Sequence, residues 1–141
     1  MLPFLRLVSL CTFLVIAPIA AFAADGPTPG KNALDGLRFK GEIGQQGKGD
    51  HQEDTIFFED GRFRSLGCEK WGFSPASYSV KKEGESYHFS ATLQSPDKGT
   101  LEWKGTITGD KAKANFRWLK KRWYWTIDRQ YWFKGKPHAS Q

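Results

Sequence analysis

The chain has 141 residues, a formal net charge of +6, and 11 Phe, 6 Trp and 4 Tyr. Its length supports one domain with a real core once an export segment is set aside. Of its two cysteines only Cys68 lies beyond that segment, so no intramolecular disulfide is expected and the fold must rest on aromatic packing.

Residues 1–23 carry the marks of a signal peptide. Arg6 and the amino terminus make a positive start, Leu7–Ala20 is apolar and uncharged, and Ala21-Phe22-Ala23 has the small-x-small pattern of a cleavage site. An uncleaved anchor is the other reading; Pro18 and an apolar run shorter than the ~20 residues that span a bilayer oppose it. The expected location is the periplasm or the extracellular space, where the basic charge reads first as a charged, soluble surface and otherwise as one that meets lipid headgroups or acidic glycans rather than nucleic acid. Residues 24–35, rich in Gly and Pro, read as a flexible tail, 36–135 as a β-barrel domain, and 136–141 as a second flexible tail.

From Leu37 onward apolar residues alternate. The first expected strand is Leu37–Ile43, and Gly44–Asp54 reads as a polar, Gly-rich loop. Thr55–Glu59 and Arg62–Leu66 form a hairpin around Asp60-Gly61, a type I′ signal because both turn residues must take positive φ. Gly67–Pro75 breaks the alternation and holds Cys68, Trp71 and Phe73 among glycines and a proline; a loop with two large aromatics is expected to fold over an opening or pack against an edge. Ala76–Lys82 resumes as a strand, turned by Glu83-Gly84. Glu85–Gln94 and Gly99–Thr108 make the clearest hairpin, joined at Ser95-Pro96-Asp97-Lys98, and Gly109-Asp110 leads into Lys111–Leu119. The last expected pair is Arg122–Ile127 and Gln130–Lys134 around Asp128-Arg129.

No longer segment has a capped helical period. An open meander would leave two edges and closure removes them, so the expected fold is all-β, an up-and-down antiparallel barrel of about eight strands, with a two-sheet β-sandwich as the alternative. Phe39, Phe58, Phe63, Tyr78, Phe89, Trp103, Phe116, Trp118, Trp123 and Trp125 are expected to point inward, among small residues such as Gly41, Ala91 and Gly105. That bulk predicts a filled barrel or a narrow Trp-walled pocket, not a roomy cup.

In strand number, hairpin order and aromatic content, Gly36–Lys134 resembles the calycin-type barrels, the lipocalin and avidin families of exported ligand binders. Gly36-Leu37-Arg38-Phe39 stands where lipocalins carry Gly-x-Trp, and Trp103-Lys104-Gly105 is similar to the Trp-rich strands of avidins. The chain also resembles small bacterial periplasmic proteins of this type. The lipocalin resemblance implies an Arg over the first-strand aromatic, a place for Arg117 or Arg122 over Phe39.

Catalytic groupings do not emerge. His51, Glu53 and Asp54 read as a solvated loop rather than a zinc site, which needs three or four well-held ligands. Cys68 has Glu69 and Lys70 beside it, but chain neighbours diverge and no His has a reason to join it. Gly44-Gln45-Gln46-Gly47-Lys48-Gly49 lacks the strand-loop-helix setting of a phosphate loop. The expectation is therefore no enzyme, no metal and no cofactor.

Two functions remain. The first is an exported, non-catalytic binding protein that holds a small apolar or amphipathic ligand at the barrel mouth with Cys68, Trp71, Phe73, Tyr78, Trp103, Trp118 and Trp125. The alternative is an envelope interaction protein whose basic aromatic surface, Arg122, Tyr124, Trp132 and Lys134, meets a macromolecule or a membrane. Cys68 is expected to be buried in a monomer or to link a dimer.

Overall fold

The computed structural model describes residues 33–139. The expected signal peptide and most of the first tail lie outside the described residues. Eight antiparallel strands, β1 (Arg38–Gln45), β2 (His51–Glu59), β3 (Arg62–Ser65), β4 (Ala76–Glu83), β5 (Ser86–Ser95), β6 (Gly99–Thr108), β7 (Lys111–Lys121) and β8 (Thr126–Pro137), run in sequence order, and β8 pairs back onto β1. A short helical turn, α1 (Leu66–Glu69), follows β3. The up-and-down barrel is the fold that the alternation predicts, and closure leaves no free sheet edge.

At the seam Gly41 faces Gly135, and a Cβ on Gly41 would collide with the Lys134 carbonyl, so only glycine lets β1 and β8 approach there. On the outer wall the Trp132 ring lies over Gly44, its cross-strand partner, and covers the bare backbone.

Because successive strands reverse direction, alternate connections share an end. One end has two-residue turns: Asp60-Gly61, Gly84-Glu85 and Gly109-Asp110. Asp60 (φ 51°) and Gly61 (φ 72°) both take the positive φ that a type I′ hairpin requires. Residues ahead of β1 close this end. Leu34 is 1% exposed, its N–H donates to the Tyr78 hydroxyl, and that hydroxyl donates to Asp35 at 2.7 Å. Asp35 also accepts from the Gly61 N–H at 2.9 Å. Leu34 and Asp35 thus belong to the fold and not to a tail, because Leu34 completes the apolar floor. Lys136 and Pro137 likewise extend β8 against Lys40 and Phe39.

The barrel interior is solid through its lower half. Phe58 meets Phe39, Phe63, Tyr78 and Phe89 at centroid distances of 4.9–6.5 Å, mostly edge to face. The Phe89 ring lies on Gly105, whose missing Cβ makes the room. Trp103, 1% exposed, stacks on Phe116 at 4.1 Å, and Phe116 stacks on Tyr131 at 4.9 Å. These three are direct cross-strand partners on β6, β7 and β8. Each buried ring of this kind contributes about 1.5–3 kcal/mol. The outer wall carries Lys104, Lys113, Glu102 and Arg117, the inverse of a lipid-facing barrel.

Two expected boundaries are corrected. His51–Asp54 is strand, not loop: it pairs with Gly41–Gly44 and lines up the cross-strand contacts Lys40–Glu53 and His51–Glu42. The turn expected at Asp128-Arg129 is strand too. β7 runs on to Lys121, the chain turns at Arg122–Trp125, and Asp128 lies in β8, where Arg117 holds it through two hydrogen bonds of 2.6 and 2.8 Å. Trp123 and Trp125, expected inside, are therefore on a loop and 94% and 44% exposed.

Candidate functional site

The other end of the barrel is open and carries every longer connection: Gln46–Asp50, Leu66–Pro75, Pro96–Lys98 and Arg122–Trp125. Leu66–Pro75 is strapped over part of it from three sides. On β2 the buried Asp54 carboxylate accepts from Ser65 Oγ (2.5 Å), the Gly67 N–H (2.7 Å) and the Thr55 N–H (2.8 Å), while Ser65 Oγ accepts from the Cys68 N–H. On β3, Arg64 forks onto Glu69 at 2.7 and 3.2 Å. On β5, the Ser74 N–H donates to the Gln94 carbonyl and Ser95 Oγ donates to the Trp71 carbonyl. Gly72 (φ 86°) turns the chain after α1 so that Phe73 drops into the core at 5% exposure while Trp71 stays 62% exposed. Satisfied polar groups hold an irregular segment in place where no ladder is available.

Beside this strap lies a cleft of about 540 Å³, within the range of small-molecule sites. Ile43, Leu101, Phe116, Tyr131 and Phe73 give it apolar walls, and Cys68 and Trp118 join them. Trp118 Nε1 donates to the Lys98 carbonyl at 2.6 Å, and Arg129 lies over its ring. Lys48, Asp50, His51 and Lys98 form a polar rim, with Lys98 Nζ 6.0 Å from the centre of the Trp71 ring. A second depression of about 650 Å³ lies on the outer wall of β4–β7, among Lys81, His88, Lys104 and Lys113. It is a shallow groove on the outer face of the sheet, more open than the mouth cleft.

Of the residues expected to bind a ligand, Cys68, Trp71, Phe73 and Trp118 meet at the cleft. The other three do not line it: Tyr78 is bonded to the closing segment at the opposite end, Trp103 is core, and Trp125 lies on the β7–β8 loop. The expected interaction surface also divides. Arg122 and Tyr124 sit on that loop, whereas Trp132 and Lys134 are on the outer wall, with Lys134 5.7 Å from the Trp132 ring centre. Neither Arg117 nor Arg122 covers Phe39: Arg117 is taken by Asp128, and Arg122 stacks on Trp125 at 5.2 Å.

Missed on sequence were Ile43, Lys48, Asp50, Leu101, Phe116 and Tyr131 as cleft residues. The signal that could have found them is parity: in an up-and-down barrel the connections after odd-numbered strands share one end.

Burial pushes the Cys68 thiol up to about 12, and the Asp54 and Glu69 charges push the same way, so the sulfur is held protonated. His51 does not act on it: Nδ1 faces the Gly49 carbonyl at 3.4 Å and Nε2 faces Glu42 at 3.6 Å. The Cys68 residue is 5% exposed and borders the cleft. Burial also raises Asp54 above the usual carboxylate range, against the opposing pull of its three hydrogen bonds. Asp54 is thus a buried bracket and not the solvated loop residue that the sequence suggested. Among the described residues no three His, Cys, Asp or Glu side chains gather as metal ligands would.

The closed eight-stranded barrel is consistent with calycin-like architecture. No protein-family model, curated protein or solved structure matches the chain at a significant level.

Proposed function

We propose that this chain is an exported, non-catalytic binding protein of calycin-like type that takes a small amphipathic ligand in the mouth cleft. The observation that carries the reading is the division of the barrel: aromatic side chains fill it below, and the same aromatic stack ends at an open, apolar-walled cleft of about 540 Å³. A ligand's apolar part would lie against Phe116, Tyr131 and Leu101, with an anionic end at Lys98 or Lys48. The protonated, buried thiol and the outward-bonded His51 favour binding over nucleophilic chemistry.

A titration with the fluorescent amphiphile 1-anilinonaphthalene-8-sulfonate tests it. The expected outcome is saturable one-site binding that Trp71→Ala and Trp118→Ala each weaken by about tenfold, the loss of a stacked aromatic contact. Trp71 is 62% exposed, so its removal is expected to change stability by less than about 0.5 kcal/mol. Non-saturating binding, or binding that neither variant alters, would contradict the proposal.

A further inference from the structure

The β7–β8 hairpin ends in a feature that neither the fold nor the cleft requires. The Arg122 N–H donates to the Trp125 carbonyl at 2.8 Å and closes a four-residue turn. Its two central residues are Trp123 and Tyr124, where turn chemistry favours Gly, Asn or Asp and where the closed-end turns use Asp60-Gly61 and Gly109-Asp110. Trp123 is 94% exposed and Tyr124 60%; their rings touch each other edge to face at 4.7 Å and neither belongs to the core cluster. Trp71, 62% exposed, stands at the same end of the barrel.

Along the hairpin itself the free charge beside these rings is basic. Lys121 and Arg122 are exposed, and Asp128, the one acidic residue of the hairpin, is occupied by Arg117. Lys120 Nζ donates to the Asp97 carbonyl and so ties the hairpin to the β5–β6 turn, which fixes the tip relative to the mouth. Trp and Tyr favour the headgroup level of a bilayer, and cations beside them favour anionic lipid. We propose that the Arg122–Trp125 tip docks on an anionic lipid bilayer, with the mouth of the barrel turned toward the membrane surface. The polar outer wall keeps the barrel itself out of the bilayer, so contact is peripheral. Of the expected interaction surface this retains Arg122 and Tyr124 and leaves out Trp132, whose ring covers the wall at Gly44, and Lys134, whose ammonium lies 5.7 Å from the centre of that ring.

The test is co-sedimentation of the full folded domain with phosphatidylglycerol–phosphatidylcholine vesicles and with phosphatidylcholine vesicles alone. Wild type is expected to bind the anionic vesicles, less at high salt, with tryptophan quenching by brominated lipid. Trp123→Ala with Tyr124→Ala is expected to weaken binding at least about tenfold, since interfacial aromatics supply the anchor. Lys121→Glu with Arg122→Glu is expected to weaken it by at least about 25-fold, at roughly fivefold per cation near an anionic surface. Equal binding to phosphatidylcholine, no loss in either variant, or capture by a protein partner without vesicle binding would each overturn the proposal. Titration of the cleft without vesicles should be unchanged in both variants, so failure of the docking surface and failure of the cleft reading are told apart.

Discussion

The two ends of this barrel solve different problems with the same residue types. At the closed end the strands are joined by two-residue turns, and aromatic rings meet other rings: Phe58, Phe63 and Phe89 pack at 4.9–5.5 Å in one cluster with the buried Leu34. At the mouth the connections are longer, and aromatic rings meet a cleft or solvent: Trp118 lines the cleft, and Trp71, Trp123 and Tyr124 are exposed. Backbone register explains the difference. Glycines at 41, 105 and 135 let strands and rings approach in the body of the barrel. Asp54 and its hydrogen bonds instead keep the α1 segment standing over the rim. An aromatic count alone cannot separate core from site; the end of the barrel on which a ring sits does.

The difference between the two ends is largest in energy at Trp103. Trp103→Ala is expected to cost about 4 kcal/mol, the cost of removing a large side chain from a solid interior, measured by urea unfolding. A loss below about 1 kcal/mol would mean that the lower barrel is not filled. Next in size is Asp54→Ala, expected to cost about 3 kcal/mol by stranding Ser65 Oγ and the Gly67 N–H in a buried site. The sign of its pH dependence follows from the raised carboxyl. The folded state binds its proton more tightly than the unfolded chain, so Asp54 lowers stability as pH rises from its ordinary 3.8 through its folded value. Asp54→Asn is expected to remove that slope while keeping acceptors for Gly67 and Thr55, which a comparison of unfolding between pH 4 and pH 7 checks, pH values set by the ordinary carboxylate range of about 4.

At neutral pH the smallest effect in free energy is at Cys68. Its thiol, ordinarily near 9.0, lies at about 12 in the fold, so the thiolate fraction at neutral pH is about a thousandfold below that of the unfolded chain. Thiol reagents are expected to react slowly with the native protein and fast in denaturant. Stability from this group is fully present below 9.0 and lost as pH rises toward 12. Rapid titration of the native thiol would show that the strap is loose.

Much of the barrel was legible because most strands alternate cleanly; Gly99–Thr108 is a strand with the bounds the pattern predicted. The errors share a cause. Trp123, Trp125 and Ile127 alternate as a strand does, yet the register places Trp118 opposite Arg129 and turns the chain at the aromatics. An Asp-Arg pair that looks like a turn is held in a strand by Arg117 on the neighbouring strand, a contact set by the register of the β7–β8 hairpin. His51–Asp54 was hidden because its polar residues mask the one inward carboxylate. At the site, Cys68, Trp71 and Phe73 stood out as aromatics and a thiol in a Gly-punctuated loop. Tyr131 and Ile43 did not, because they join them only when β8 meets β1.

Among the described residues the barrel is solid toward its closed end and opens at its mouth. The indole N–H resonances test it most directly, followed by NMR during titration with 1-anilinonaphthalene-8-sulfonate. The Trp118 Nε1–H bonds to the Lys98 carbonyl at the cleft wall, and the Trp71 ring lines the same cleft; the Trp103 Nε1–H is buried without a hydrogen-bond partner. The Trp118 and Trp71 signals are expected to shift together and saturate while the Trp103 signal stays near its place. A Trp103 shift as large as that of Trp118 would contradict it, because the ligand would then occupy the interior that the aromatic rings are said to fill.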